Sequence, residues 1–537
     1  MDKLKIPATM MTQHPDACKY ISVQEEPEEA IFSLTPQPAG LGLEEVMVDF
    51  EGKLTPYQQT SQIVLGLLSK ETVIPGKDVF VTPRIPSGLE EGVFRQLMAL
   101  MSVVESNYHA HKRSGIYAIR EVILPMTTGA EELLSVRERI IDVIDLAHKE
   151  FGMSKDPNII EIIPLIETVP EIFEIKTIFK KYLEGCKQRG LSAERFRYML
   201  GRSDLALSYG MVPAVLANKI ALSLGHQVQK STGVEILPIL GGGTLPFRGH
   251  FTLDNIENTL KEYPGVRTLT MQSSIRYDHG YEETKKLAQI LEQKLPLNRP
   301  LVYEQTVTNK LINVIAVFVK HYLFSFYPLM EMVNKISDLI PRQRDRLARK
   351  SEVGYARDLP HPEKITKFLE DKDLANDLQK FKPKVIGELP RAISFTAALY
   401  SIGLPPEIIG TGRALDEVKE RYGDGALDEL LKIYPSLKED LNFACRFVHL
   451  DNAREFLPTE VFAQVERDLK LIWRYLGVKI GSQTQKDRLY ATILETMKPI
   501  LKEIIAGREE ILADESLEEN LVRDWILKLG LIRGGLG

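Results

Sequence analysis

The sequence predicts an α/β protein, a (β/α)8 barrel followed by a large, mostly α-helical C-terminal portion. Three observations carry that prediction. Eight short apolar or β-branched runs fall in the first 280 residues, each ending in polar, Gly or Pro residues. Amphipathic stretches separate most of them, and strands that alternate with helices argue for parallel βαβ units. After about Tyr281 strand-like runs vanish and helical periodicity takes over. A doubly wound open sheet shares the same alternation, so strand count alone leaves it open, but eight units in about 280 residues suit a barrel.

The runs, in order, are residues 6–11, 46–50, 79–82, 121–125, 161–166, 197–201, 235–240 and 268–271. Residues 90–104, 130–150, 170–189 and 213–224 read as the helices between them. Beyond them, helical periodicity marks 282–294, 311–324, 363–380, 427–432, 460–476, 485–507 and 518–529. The domain division that follows is 1–280 for the barrel and 281–537 for the helical portion. An arginine-rich stretch at 340–358 breaks the helical pattern and reads as a loop.

Chemistry in such a barrel gathers at the carboxyl ends of the strands. There the sequence places Thr12-Gln13-His14-Pro15-Asp16, then Asp49 with Glu51-Gly52, then Pro83-Arg84. Glu167-Thr168 and Arg202-Ser203-Asp204 end the fifth and sixth runs. Gly241-Gly242-Gly243-Thr244 ends the seventh, with Phe247-Arg248-Gly249 just beyond. Gln272 to Arg276 follow the eighth. One imidazole, two carboxylates on neighbouring strands and several guanidinium groups thus converge on one mouth. Glu167 and Asp204 can share a hard divalent cation, with open positions left for water and substrate. The arginines call for an anionic substrate, because guanidinium matches carboxylate and phosphate bidentately. Each residue alone also has a structural reading: Asp204 as a helix cap, the glycine run as a tight turn, His14 as a hydrogen-bonder. His109 and His111 resemble a metal pair, but their spacing of two does not share a helical face.

Taken together these segments resemble phosphoenolpyruvate carboxylase, in its shorter archaeal-type form. MMTQHPD looks like the family's catalytic segment and puts His14 on its histidine. IPLIET and MLGRSDLA put Glu167 and Asp204 on the two metal ligands. FRG puts Arg248 on the arginine near bicarbonate, and VTPRIPS puts Arg84 on a substrate-pocket arginine. RQRDR and LPRAISFTAAL put Arg342 and Arg391 on the phosphate-contacting arginines. The resemblance runs from about residue 6 to residue 415. It implies carboxylation of phosphoenolpyruvate by bicarbonate to oxaloacetate and phosphate, through carboxyphosphate and a metal-bound enolate, with Mg2+ or Mn2+ as cofactor. It also implies an allosteric, anaplerotic enzyme that forms a homotetramer, a dimer of dimers. Three departures stand out from the longer forms. Residues 240–244 lack the His and first Arg of their glycine loop, Leu207 replaces a lysine, and the end Arg533-Gly534-Gly535-Leu536-Gly537 lacks the Asn that helps bind aspartate. Inhibition by aspartate or malate is therefore expected to be absent or built differently.

Composition narrows the partners. Lys+Arg 68 against Asp+Glu 74 gives a net charge of −6, without the basic excess that draws in nucleic acid. The three cysteines are scattered, as expected for a reducing cytoplasm. No apolar core follows the first lysines, so no signal peptide is expected. The apolar run near 311–319 is about half a membrane span. The rivals to a carboxylase are an aldolase-type or citrate-lyase-type barrel enzyme, which leaves the arginine segments of the helical half unexplained, and an inert anion-binding scaffold.

Overall fold

The computed structural model describes residues 5–345, 360–381, 389–507 and 516–537. Eight parallel strands close into a barrel in chain order. They are β1 (Thr9–Thr12), β2 (Glu45–Asp49), β3 (Phe80–Arg84), β4 (Glu121–Leu124), β5 (Glu161–Ile166), β6 (Arg195–Gly201), β7 (Glu235–Gly241) and β8 (Thr268–Met271). β1 pairs with both β2 and β8, which closes the ring and removes the open-sheet alternative. Every predicted run overlaps a strand, and those at 161–166 and 268–271 coincide with β5 and β8. β1 starts at Thr9 rather than residue 6. Pro7 has no N–H to give to the ladder, and its carbonyl accepts from Thr268 Oγ1 instead.

Alternate residues of each strand point inward. In mid-barrel Met10, Met47, Ile123, Ile163, Leu165, Met199 and Ile239 form a separate apolar plug. At the amino end of the strands the inward residues are charged. Arg197 donates to Glu45 (2.7 and 2.9 Å), to Glu121 (2.8 Å) and to Thr268 Oγ1 (3.2 Å). These four come from the even-numbered strands, the layering expected when alternate strands fill one level of a barrel. The plug therefore separates a closed ionic floor from the mouth.

The helical half packs on one side of the barrel. The 33-residue helix Gln305–Ser337 lies on helix Met211–Thr232, and helix Ala392–Tyr400 lies on helix Arg202–Tyr209. Met211–Thr232 is consequently buried on nearly all faces, and one apolar core runs from Ala8 to Leu536 through both halves. By length and composition Gln305–Ser337 could cross a membrane, but 78% of its most apolar window is buried in the fold. The predicted helix at 363–380 is instead two short 3-10 turns and the helix Lys372–Lys380. Asp371 caps that helix by accepting from Leu374 N–H (3.0 Å), which sets its start. Helices Thr411–Tyr422 and Leu437–Cys445 were not expected from periodicity. The predicted loop at 340–358 is irregular over 341–345, and the rest of it lies outside the described residues. His109 and His111 sit on helix Val93–Ser114, and among the described residues no cluster of three or more His, Cys, Asp or Glu could hold a metal ion.

Candidate active site

One cavity opens at the carboxyl end of the strands. It spans about 710 Å³ of space, part of it open to solvent, and is lined from both halves of the chain. His14 comes from the loop after β1, Glu51 from the loop after β2, Arg84 from β3 and Glu167 from the end of β5. Arg202, Ser203 and Asp204 open the helix after β6, Arg248 stands in the turn after β7, and Gln272 follows β8. Arg391, Ala392 and Ile393 enter from the helical half. Six of the seven predicted site residues are therefore brought to one space.

Glu167 and Asp204 end neighbouring strands and face the same cavity. Glycine at 201 makes room for Glu167: a Cβ there would stand 3.2 Å from Glu167 Cγ and 3.5 Å from its Oε1. Met126 N–H donates to Glu167 Oε2 (3.2 Å) and fixes the carboxylate. Asp204 lies in the first helical turn, not at the cap, which is Gly201. Two carboxylates on one wall, beside open space, suit a hard divalent cation that completes its shell with substrate and water.

The arginines are held very differently. Arg84 donates to both oxygens of Asp49 (2.9 and 2.8 Å) and pairs with Glu51 (2.6 Å). Burial alone would lower its pKa, but Asp49 and Glu51 outweigh burial and raise it. In return Asp49, which burial would raise, is held down at about 2 by Arg84. Arg84 thus lines the cavity as a locked, neutralised group. Arg248, only 1% exposed, donates to Asp16 (3.2 Å), Ser203 Oγ (3.1 Å), Gln272 Oε1 (2.6 Å) and the Gly537 carbonyl. Burial lowers its pKa and Asp16 partly offsets this. Arg391 is the least committed. Among the described residues it makes one hydrogen bond, a long one to Gly52 O (3.4 Å), and burial lowers its pKa against the pull of Glu51 and Asp49. Gly52, at φ +57°, is where the two halves touch: a Cβ there would sit 3.0 Å from Arg391 Nη2.

His14 Nδ1 is enclosed and, among the described residues, has no hydrogen-bond partner. Its loop is tied down by Ser273, which donates to the His14 carbonyl and accepts from Ala17 N–H (3.1 Å). Burial first, then the charge of Arg84, pull the imidazole pKa well below its usual value. The ring is therefore neutral at pH 7 and able to accept a proton.

Arg342 is the residue that the structure does not bring in. It is exposed and absent from the cavity lining. Its neighbour Arg344 is the buried one, clamped by Glu26 (3.0 Å) and Glu29 (2.7 and 2.9 Å). Leu245 and Phe247, beside Arg248, are fully buried behind the wall; the apolar lining is Leu165, Met199, Ala392 and Ile393. Sequence reasoning missed Glu51 as a lining residue and Asp16 as the partner of Arg248. The signal for both was their place two residues beyond an identified strand-end group.

Comparison with known proteins agrees with this geometry. The family model described as phosphoenolpyruvate carboxylase matches residues 6–537, well past the residue 415 at which the sequence resemblance fades. A phosphoenolpyruvate carboxylase of Methanosarcina acetivorans is 41% identical over 100% of this chain and 99% of its own. One from Methanopyrus kandleri is 41% identical over 99% of each chain, and one from Leuconostoc mesenteroides is 31% identical over 92% of this chain and 94% of its own. A full-length match of this kind, on a closed barrel whose mouth gathers an acidic pair, a neutral imidazole and arginines from both halves, makes this chain a member of the phosphoenolpyruvate carboxylase family.

Proposed function

We propose that the protein carboxylates phosphoenolpyruvate with bicarbonate, giving oxaloacetate and inorganic phosphate. The observation that carries this reading is the convergence of His14, Glu167, Asp204, Arg248 and Arg391 on one cavity. Glu167 and Asp204 are the residues that would hold Mg2+ or Mn2+. When bound, such an ion supplies Lewis acidity toward the substrate carboxylate and the developing enolate oxygen. Arg391, with the first turn of helix Ala392–Tyr400 behind it, holds the phosphoryl group. Exposed Arg342 joins it by contacting the phosphate from the outer side. Arg84, already neutralised, shapes the wall between them.

A bicarbonate oxygen attacks phosphorus and the bond from phosphorus to the enol oxygen breaks, leaving carboxyphosphate and the enolate of pyruvate. Neutral His14 takes the carboxyphosphate proton as that species separates into CO2 and phosphate, and phosphate carries the proton away. Arg248 holds CO2 over the enolate carbon until the carbon–carbon bond forms. Leu165, Met199, Ala392 and Ile393 keep water from the enolate, whose protonation would give pyruvate.

We assign the protein an anaplerotic, allosterically controlled role in the cytoplasm, as a homotetramer. Leu89 and Phe94, 74% and 88% exposed, are large apolar side chains that assembly would cover. Light scattering of the purified protein tests the tetramer. The activity is tested by coupling to malate dehydrogenase, with bicarbonate and divalent ion each present or withheld. Oxaloacetate must require both. Formation without bicarbonate, or none in the complete mixture, overturns the reading.

A further inference from the structure

The turn that carries Arg248 is held from outside the barrel. It is a 3-10 turn over Pro246–Arg248 after β7. Arg202 takes its carbonyls, donating to Phe247 O (3.2 Å) and Pro246 O (3.3 Å). Its other polar groups reach into the helical half. Phe247 N–H donates to Glu407 Oε1 (2.9 Å), and His250 Nδ1 meets Asp440 Oδ1 (2.6 Å). His250 has φ +61°, a left-handed backbone that a non-glycine residue keeps only when its surroundings impose it. Both carboxyl groups are fixed in turn by tyrosines. Tyr400 OH donates to Glu407 Oε1 (2.9 Å), and Tyr434 OH to Asp440 Oδ2 (2.6 Å).

Glu407 is fully buried, and among the described residues it makes no ion pair. Its Oε2 is enclosed and, among these same residues, has no hydrogen-bond partner. A lone carboxylate in such a place is costly, and the cost falls once the group is protonated. Burial accordingly pushes its pKa up to about 7. A carboxyl whose one hydrogen-bonded oxygen accepts a backbone N–H next to Arg248 does not reach the reacting atoms itself. What it can do is set where that backbone stands.

We propose that Glu407 and Asp440 are positioning residues for Arg248, fixing the Phe247 N–H and the His250 ring so that the guanidinium keeps CO2 over the enolate. This rests on the carboxylase reading above. A loosened turn lets CO2 escape, and the enolate then takes a proton and leaves as pyruvate. The two products per phosphate released therefore report on the turn, whereas loss of folded protein lowers both alike.

The test measures oxaloacetate, pyruvate and phosphate for full-length Glu407→Ala, Glu407→Gln and Asp440→Asn. Glu407→Ala is expected to raise the pyruvate-to-oxaloacetate ratio about tenfold, while KM for phosphoenolpyruvate stays within about twofold, since small displacements near reacting atoms are felt strongly. Glu407→Gln keeps the acceptor oxygen and returns the ratio to wild type. Asp440→Asn raises it less. A wild-type ratio in Glu407→Ala, with only its melting temperature lowered, overturns the proposal. So does a wild-type ratio in Asp440→Asn if Glu407→Ala does not fold. If the wild-type protein makes no oxaloacetate, the carboxylase reading fails by itself. Hydrogen exchange at Phe247 N–H then decides the positioning claim: protection must fall in Glu407→Ala and persist in Glu407→Gln, and unchanged protection in the alanine variant overturns it.

Discussion

The two ends of the barrel use the same chemical unit to different ends. At the floor Arg197 is clamped by Glu45 and Glu121, and at the mouth Arg84 is clamped by Asp49 and Glu51. Both arginines are buried, and in both the paired carboxylates outweigh burial and raise the pKa. The floor is sealed by the apolar plug above it, whereas the mouth adds a cavity with Glu167, Asp204, His14, Arg248 and Arg391 around it. In both places the clamped arginine ties strands of the barrel together. Function comes from the charged groups that this tie leaves facing open space.

That contrast predicts the largest stability effect at the floor. Arg197→Met strands two buried carboxylates, and breaking a buried ion pair from one side costs about 3–5 kcal/mol. Denaturant unfolding should show this loss, while kcat of the protein that remains folded stays near wild type. A fall in kcat at unchanged stability would mean that the floor communicates with the mouth.

Asp204→Asn should do the reverse. It removes a charge from the cavity wall, and groups that stabilise charge at reacting centres are worth roughly 10²–10³ in rate. Oxaloacetate formation should be lost at ordinary Mg2+ concentrations, with the melting temperature nearly unmoved. Normal turnover would remove Asp204 from the metal site. His14→Asn should act on one half of the reaction only. It should lower oxaloacetate formation by about 10²-fold, the usual scale for a lost general base, while part of the phosphate release persists. A fully normal rate of carboxylation would take His14 out of the mechanism.

How much of this was legible beforehand depended on the range of the interactions. The strand ends were legible because turn chemistry is local: Glu161–Ile166 stops where Glu167-Thr168 begins, and Gly241 stops β7. The acidic pair was legible because neighbouring parallel strands bring successive carboxyl ends together. Arg84 was placed in the substrate pocket, but its pairing with Asp49 and Glu51 was not legible, because the register Asp49↔Arg84 is not visible in a linear pattern. Arg342 stayed outside the cavity because Arg344, two residues on, anchors that segment on Glu26 and Glu29. Glu407 and Asp440 could not be seen at all. They meet the Arg248 turn across separations of 160 and 190 residues, from positions that look like ordinary polar sites in the helical half.

The smallest effect tests how a buried carboxyl group near the mouth behaves without an arginine partner. Glu407 has a pKa of about 7 when folded, against an ordinary value of 4.5. The folded protein therefore binds more protons than the unfolded chain between those values. Stability from this group is complete below pH 4.5 and is lost as pH rises through about 7. Between pH 6 and pH 8 the loss integrates to roughly 1 kcal/mol, the scale of about one proton taken up over one pH unit. Glu407→Gln cannot ionise, so its stability should lack this downward step while other groups titrate as in wild type. The difference between the two proteins, from urea unfolding at pH 6, 7 and 8, should move in favour of glutamine as pH rises. Asp440 lies nearby and its charge acts in the same direction, so Asp440→Asn should shrink the step. A difference that stays flat across this range would mean that Glu407 is ionised in the folded protein, and that a cation near it plays the part that Arg197 plays at the floor.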